Sequence, residues 1–118
     1  MRYMLLIYGN ETQLTQDARE HCYVESTQLA HDIKAKGQYL AASPLQPVRT
    51  ATSVRIREGK RLITDGPFAE THEQLGGYYL VDVQNLDQAL DIASRIPAAK
   101  WGTVEVRPVI ELTGLPEE

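Results

Sequence analysis

Asp65-Gly66-Pro67-Phe68-Ala69-Glu70-Thr71-His72-Glu73 is the densest mix of turn formers and ionisable groups in the chain. Strand-like runs flank it, Ser53 to Thr64 before and Tyr78 to Val83 after. Gly66 tolerates positive φ, Pro67 fixes its own φ and lacks an N–H, and a residue before proline is driven out of the α region. The chain therefore leaves its strand sharply at Asp65. That carboxylate either accepts hydrogen bonds from backbone N–H groups of the turn or points into a cleft. Phe68, the only Phe, is expected to plug apolar space beside the turn. Either Glu70, His72 and Glu73 are solvated, or Asp65 and Glu70, with His72, line a pocket.

Working outward, Val54 and Ile56 alternate with Arg55 and Arg57, Glu58-Gly59 makes a turn, and Lys60 to Thr64 returns, which reads as a hairpin. Its four cations, Arg55, Arg57, Lys60 and Arg61, form either a solvated edge that blocks aggregation or an anion-attracting rim. Pro44 and Pro47 precede it and forbid regular ladder pairing. On the other side, Gly76-Gly77 permits close backbone approach or a bulge at the entry to the strand Tyr78 to Val83. Successive side chains point to opposite faces, so only one of Tyr78 and Tyr79 packs inward. A helix follows. Asn85 caps it, Gln88 completes a box, Leu86, Ala89, Leu90, Ala93 and Ile96 form the stripe, and Pro97 ends it. Trp101, in the connector after it, reads as a large apolar plug. Thr103 to Arg107 is the last strand, and Val109, Ile110 and Leu112 leave an apolar tail.

At the start, Tyr3 to Tyr8 is apolar throughout and too short for a helix before Gly9, so it reads as a strand buried on both faces. A helix over Gln16 to Lys36 follows, with Thr15 as N-cap and Gly37 at the C-terminal stop. Ala18, Cys22, Leu29 and Ile33 mark its buried stripe. Ser26 interrupts that stripe, and its hydroxyl either bonds back to a helix carbonyl or faces a polar cavity. Gln38 to Ser43 reads as the second strand. The order is strand, helix, strand, added hairpin, strand, helix, strand, an α+β, split-βαβ or ferredoxin-like plan. Both helices of such a plan lie on one side of the sheet. Strands apolar on both faces then need a cover for the other side, and a second copy is the simplest source.

The 118 residues predict one domain over 1–118. Hydrophobic residues at 42% and charged residues at 24% are ordinary for a globular chain, and a net charge of −4 weighs against nucleic-acid binding, which needs a basic face. One cysteine, Cys22, cannot form an internal disulfide. No run approaches the ~20 apolar residues that span a bilayer. A cytoplasmic protein without membrane contact is the expectation. Nucleotide loops, HExxH, paired CxxC and GxSxG motifs are missing, and neither metal nor redox cofactor is expected.

The segment Asp65-Gly66-Pro67-Phe68-Ala69-Glu70, followed by Glu73-Gln74-Leu75-Gly76-Gly77-Tyr78-Tyr79, resembles the signature of the DGPF branch of YCII-related proteins. The resemblance extends to Met1 through Gly9, to Leu86-Asp87-Gln88-Ala89-Leu90, and to Val104-Glu105-Val106-Arg107-Pro108. It implies a ferredoxin-like unit of the dimeric α/β-barrel type, paired sheet against sheet. Members of this branch are mostly uncharacterised, one relative is linked to dehydrochlorination of an aromatic ring, and genes of the branch often lie beside those of extracytoplasmic-function sigma factors. In the better-known YCII branch a His of the first helix is proposed as catalytic. Ser26 stands at about that place here, and His72 stands where relatives commonly carry Lys.

Two functions follow as expectations. In the first, a cofactor-independent lyase or hydrolase acts on a small molecule, with Asp65 or Glu70 as acid–base group and His72 as second proton carrier. Burial raises a carboxylate's pKa, which suits proton transfer, and imidazole titrates near neutrality. Ser26, Phe68 and Tyr78 would contact the substrate. In the second, the dimer binds a small ligand or a regulatory partner without turnover. An enzyme places Asp65 and another ionisable group around one enclosed pocket; a protein-binding module leaves them in solvent beside an exposed apolar patch.

Overall fold

A computed structural model describes residues 1–116, so the single domain expected over 1–118 runs two residues beyond them. The strands are β1 (Arg2–Gly9), β2 (Tyr39–Pro44), β3 (Thr52–Arg57), β4 (Lys60–Asp65), β5 (Gln74–Asp82) and β6 (Thr103–Pro108). The helices are α1 (Gln16–Ala35) and α2 (Leu86–Arg95), with short 3₁₀ turns at Glu11–Gln13, Val48–Thr50 and Pro97–Lys100. One antiparallel sheet runs in the order β2-β5-β1-β6, and β3 and β4 form a separate two-stranded sheet. That order, with a helix after β1 and another after β5, is the ferredoxin-like plan with an added hairpin.

Local chemistry sets the ends of the elements. The Thr15 hydroxyl accepts from the Ala18 N–H at 3.1 Å to start α1. Gly37, at φ +74°, takes the left-handed position that ends it. At α2 the Asn85 side chain accepts from the Gln88 N–H at 3.0 Å, and the Gln88 side chain accepts from the Gln84 N–H at 2.9 Å. Glu58 and Gly59 both have positive φ, 52° and 75°, which gives the two-residue hairpin turn its twist.

The sheet pleat sorts the core. Tyr3 lies opposite Val81, and Leu5 opposite Tyr79; all four are buried on the side that carries both helices. Leu29 and Ile33 of α1 and Ala89, Ile92, Ala93 and Ile96 of α2 close this core. Met4, Leu6, Tyr8, Tyr78 and Leu80 point the other way; they are half-buried, with no helix above them. β1 is therefore sealed on one face only, not on both. The stripe of α2 is also rotated from expectation. Its buried positions are spaced i, i+3, i+4, i+7 from Ala89, while Leu90 stands about 100° around the helix and Leu86 opens the first turn; both are exposed.

Two close approaches fix how the layers stack. Ile7 pairs with Gly77 and Tyr8 with Leu75, so Gly76 is the extra residue of a bulge. A Cβ on Gly9 would lie 2.3 Å from Trp101 Cζ3: the indole rests directly on the backbone of β1. We predict that Gly9→Ala displaces Trp101 and costs about 1–3 kcal/mol, measured by urea denaturation with a shift in tryptophan emission. Gly76→Ala, whose Cβ would meet nothing nearer than Ile7 O at 3.9 Å, serves as the milder control.

Candidate functional site

Only the second half of α1 enters the core. Leu29 and Ile33 are buried, whereas Ala18, Cys22 and Ser26, on the same stripe, are half-buried. The first half thus stands off the sheet and leaves a mainly apolar cleft of about 960 Å³. Arg19, Cys22 and Ser26 line it from the helix, Ile7, Ala42 and Tyr79 from the sheet, Pro44 to Pro47 from the loop after β2, and Trp101 from the far end. The glycine pair Gly76-Gly77 forms part of the wall, and a Cβ on Gly77 would lie 3.1 Å from Ser43 O, so this strand runs close against β2 there.

Where α1 parts from the sheet, Tyr79 ties the two together. Its hydroxyl donates to the Ser26 carbonyl at 2.6 Å. Burial raises the Tyr79 pKa above its ordinary value near 10, the hydrogen bonding at Ser26 offsetting part of the rise and Tyr39 adding to it. The phenol is therefore a neutral donor at physiological pH. Across the cleft, the Glu11 carboxylate accepts from the Val48 N–H at 3.1 and 3.2 Å, which pins the loop that leads to the hairpin. Arg19 Nη2 donates to the Glu11 carbonyl at 3.0 Å. Among the described residues the half-buried Arg19 pairs with no carboxylate, so its charge is available to an anion. Gln74 contributes a second free group: its Nε2 donates to the Thr71 carbonyl at 2.8 Å, and its Oε1 is buried without a partner.

The residues singled out by sequence divide into two places. Ser26 and Tyr78 border the cleft, but the Tyr78 side chain lies on the open face of the sheet, so of the two tyrosines it is Tyr79 whose ring faces the helix side. Asp65, Glu70, His72 and Phe68 do not border it, and all four are exposed. Phe68, expected to plug apolar space, is 78% exposed, with the Arg55 guanidinium 5.2 Å from its ring centroid. Nor does Asp65 hold its turn. Among the described residues that task falls to the Gly66 N–H, which donates to Ala51 O at 2.7 Å, and to the Ser53 hydroxyl, which donates to Gly66 O at 2.8 Å. Thr27, not Ser26, bonds back along α1, to Tyr23 O at 2.8 Å. His21 pairs with Glu25 at 2.8 Å in solvent, and the exposed His31 reaches the cleft rim. Among the described residues no three His, Cys, Asp or Glu side chains gather where they could hold a metal ion, and no helix is long and apolar enough to cross a membrane.

Sequence reasoning missed Arg19, Gln74 and the place of Trp101. Arg19 carries no motif. Its only signal is a position three residues before Cys22 on the flank of the apolar stripe.

The sheet order and the one-sided helices define a ferredoxin-like α+β protein whose first helix is propped away from the sheet. The chain belongs to the YCII-related family: the family's domain model matches residues 1–113. An uncharacterised curated protein from Rhizobium meliloti (strain 1021) is 36% identical, over 92% of each chain.

Removing the Tyr79 hydroxyl tests the tie. Tyr79→Phe should cost about 1 kcal/mol, read by chemical denaturation at neutral pH. The unfolded chain releases this phenolic proton first, because its pKa is the lower one. The contribution is therefore complete below about pH 10 and is lost as pH rises from there through the higher folded value. The Phe variant should lack that alkaline component.

Proposed function

We propose that the cleft between α1 and the sheet binds a small amphipathic anion: an apolar, preferably aromatic body against Ile7, Tyr79 and Trp101, with its charged end on Arg19. The observation that carries this reading is an unpaired, half-buried guanidinium in the wall of a mainly apolar cleft. The volume of about 960 Å³ lies at the upper end of the about 300–1,000 Å³ usual for small-molecule sites. A half-buried guanidinium that meets a backbone carbonyl but no carboxylate has its charge uncompensated, and a carboxylate, sulfonate or phosphate supplies the missing counter-charge.

Binding without turnover fits better than the lyase or hydrolase alternative. The acid–base set of that alternative, Asp65, Glu70 and His72, stands in solvent outside the cleft. A regulatory ligand-binding module needs none of these groups at the site. The motif from Asp65 to Glu70 supports placing the chain on the DGPF branch.

The same reading includes a homodimer through the open face of the sheet. Met4, Leu6, Tyr8, Tyr78 and Leu80 form a contiguous apolar row on that face, and the register sets Met4 beside Leu80 and Leu6 beside Tyr78. A two-fold related copy would cover it with the same row.

Trp101 is the only tryptophan and lines the cleft, so occupancy reports directly. Naphthoate, an aromatic carboxylate, should quench its emission saturably. Arg19→Met should weaken that binding by at least about tenfold, the cost of a lost charged hydrogen bond, and Arg19→Lys should recover part of it. No saturable quenching, or equal affinity in all three proteins, would contradict the proposal.

A further inference from the structure

The cleft leaves the β3–β4 hairpin without a role. Of its two strands only Ser53 is not exposed. The molecule measures 46 × 43 × 23 Å, and its radius of gyration is 16.0 Å, where a compact chain of this length has about 13.5 Å. The hairpin is a projecting arm. Its base is tied by the bonds from the Gly66 N–H to Ala51 and from the Ser53 hydroxyl to Gly66, and its tip is a tight turn at Glu58-Gly59.

The register gives the arm two unlike sides. Val54 lies opposite Ile63, Ile56 opposite Arg61 and Thr52 opposite Asp65, so Val54, Ile56 and Ile63 share one side with Arg61 and, at the base, with Thr52 and Asp65. Val54, Ile56 and Ile63 are 63%, 59% and 58% exposed. Arg55, Arg57 and Lys60 share the other side with Leu62, Ser53 and Thr64. The charged side is what a solvated edge looks like. The side with three bare β-branched residues is not. A lone two-stranded hairpin is marginal in water and gains stability by laying an apolar side on something.

Charge identifies what covers it. From Thr52 to Asp65 the arm has four cations (Arg55, Arg57, Lys60, Arg61) and two carboxylates (Glu58, Asp65), a net charge of +2; the protein's total is −4, so the rest of the chain carries −6. These net charges make two arms repel and draw an arm toward a second body, and at the docked side itself Arg61, beside Val54, Ile56 and Ile63, is the cation placed to meet acidic groups.

We propose that the Val54–Ile56–Ile63 side of each arm docks on the acidic body of a second copy, so that two protomers embrace reciprocally. This goes beyond the shared sheet face. The arm also leaves the body from the cleft margin, since the loop Pro44 to Pro47 leads into it and the segment after Asp65 returns to Gln74, which lines the cleft. Docking therefore anchors both chain segments that border the ligand.

Sedimentation of the full chain over a concentration series tests this, with circular dichroism to check the fold. The wild-type protein should dimerise. Ile56→Asp sets a carboxylate against apolar surface and should weaken dimerisation by at least about tenfold, while Leu62→Asp, on the charged side, should not. Hydrogen exchange gives a second readout without a substitution: arm amides should slow as the wild-type dimer forms. A monomeric wild-type protein overturns both the embrace and the sheet contact. A dimer that Ile56→Asp leaves equally tight, or whose arm amides exchange as in the monomer, overturns the arm alone and leaves the sheet contact standing.

Discussion

One hydrogen bond marks the point on which the site depends. Tyr79 rises from the middle of β5 and gives its proton to the Ser26 carbonyl in the middle of α1. Beyond that point toward the C-terminus, Leu29 and Ile33 pack into the sheet. Before it, the helix carries Cys22 and Ala18 on the same stripe but nothing long enough to reach the strands. A helix packed along its whole length would leave no room. Here packing energy is concentrated in one half, and a polar strut holds the other half at a distance. The strut is neutral and buried, so salt and ordinary changes of pH leave it intact.

The far end of the cleft is set by a different constraint. Trp101 can lie on Gly9 because that position has no Cβ, and Gly102 passes within contact of Tyr8 for the same reason. Gly76 and Gly77 thin the neighbouring strand where it borders the cleft. Tyr79 and Trp101 are among the large side chains that shape the space, and glycines bring backbone up to the same cleft. Against this apolar shape stand polar groups with capacity to spare: among the described residues the Gln74 side-chain carbonyl oxygen is buried without a partner, and the Arg19 guanidinium meets the Glu11 carbonyl but no carboxylate. Shape supplies affinity and a few polar groups supply orientation, a common division of labour in small-molecule sites.

Much of the fold was legible because its signals are local. Thr15, Gly37, Asn85 with Gln88, Glu58-Gly59 and Pro97 each determine the backbone within a few residues, and each stands where its chemistry places it. The ferredoxin-like order followed from those boundaries. Burial was less legible, because periodicity gives a face but not what lies opposite. Leu86 and Leu90 fit the α2 pattern and are exposed, since small Ala89 and Ala93 let that helix settle rotated on the sheet. The acidic turn was the hardest. Gly66 and Pro67 dictate that the chain bends at Asp65, yet nothing in those residues says which side of the bend faces the cleft. Ser26 was found as a break in a pattern, and Tyr78 only as one of two adjacent tyrosines that must face opposite sides of a strand. Arg19 breaks none, and only the three-dimensional arrangement shows that its charge lacks a partner.

The central claim is that this family member holds a small amphipathic anion between α1 and the sheet. Backbone amide NMR during titration with naphthoate maps the site residue by residue. The account predicts shifts clustered at Ser26, Gly76, Gly77, Tyr79 and Trp101. Shifts confined to the β3–β4 arm or to the Asp65–Glu73 turn, with the cleft unchanged, would contradict it.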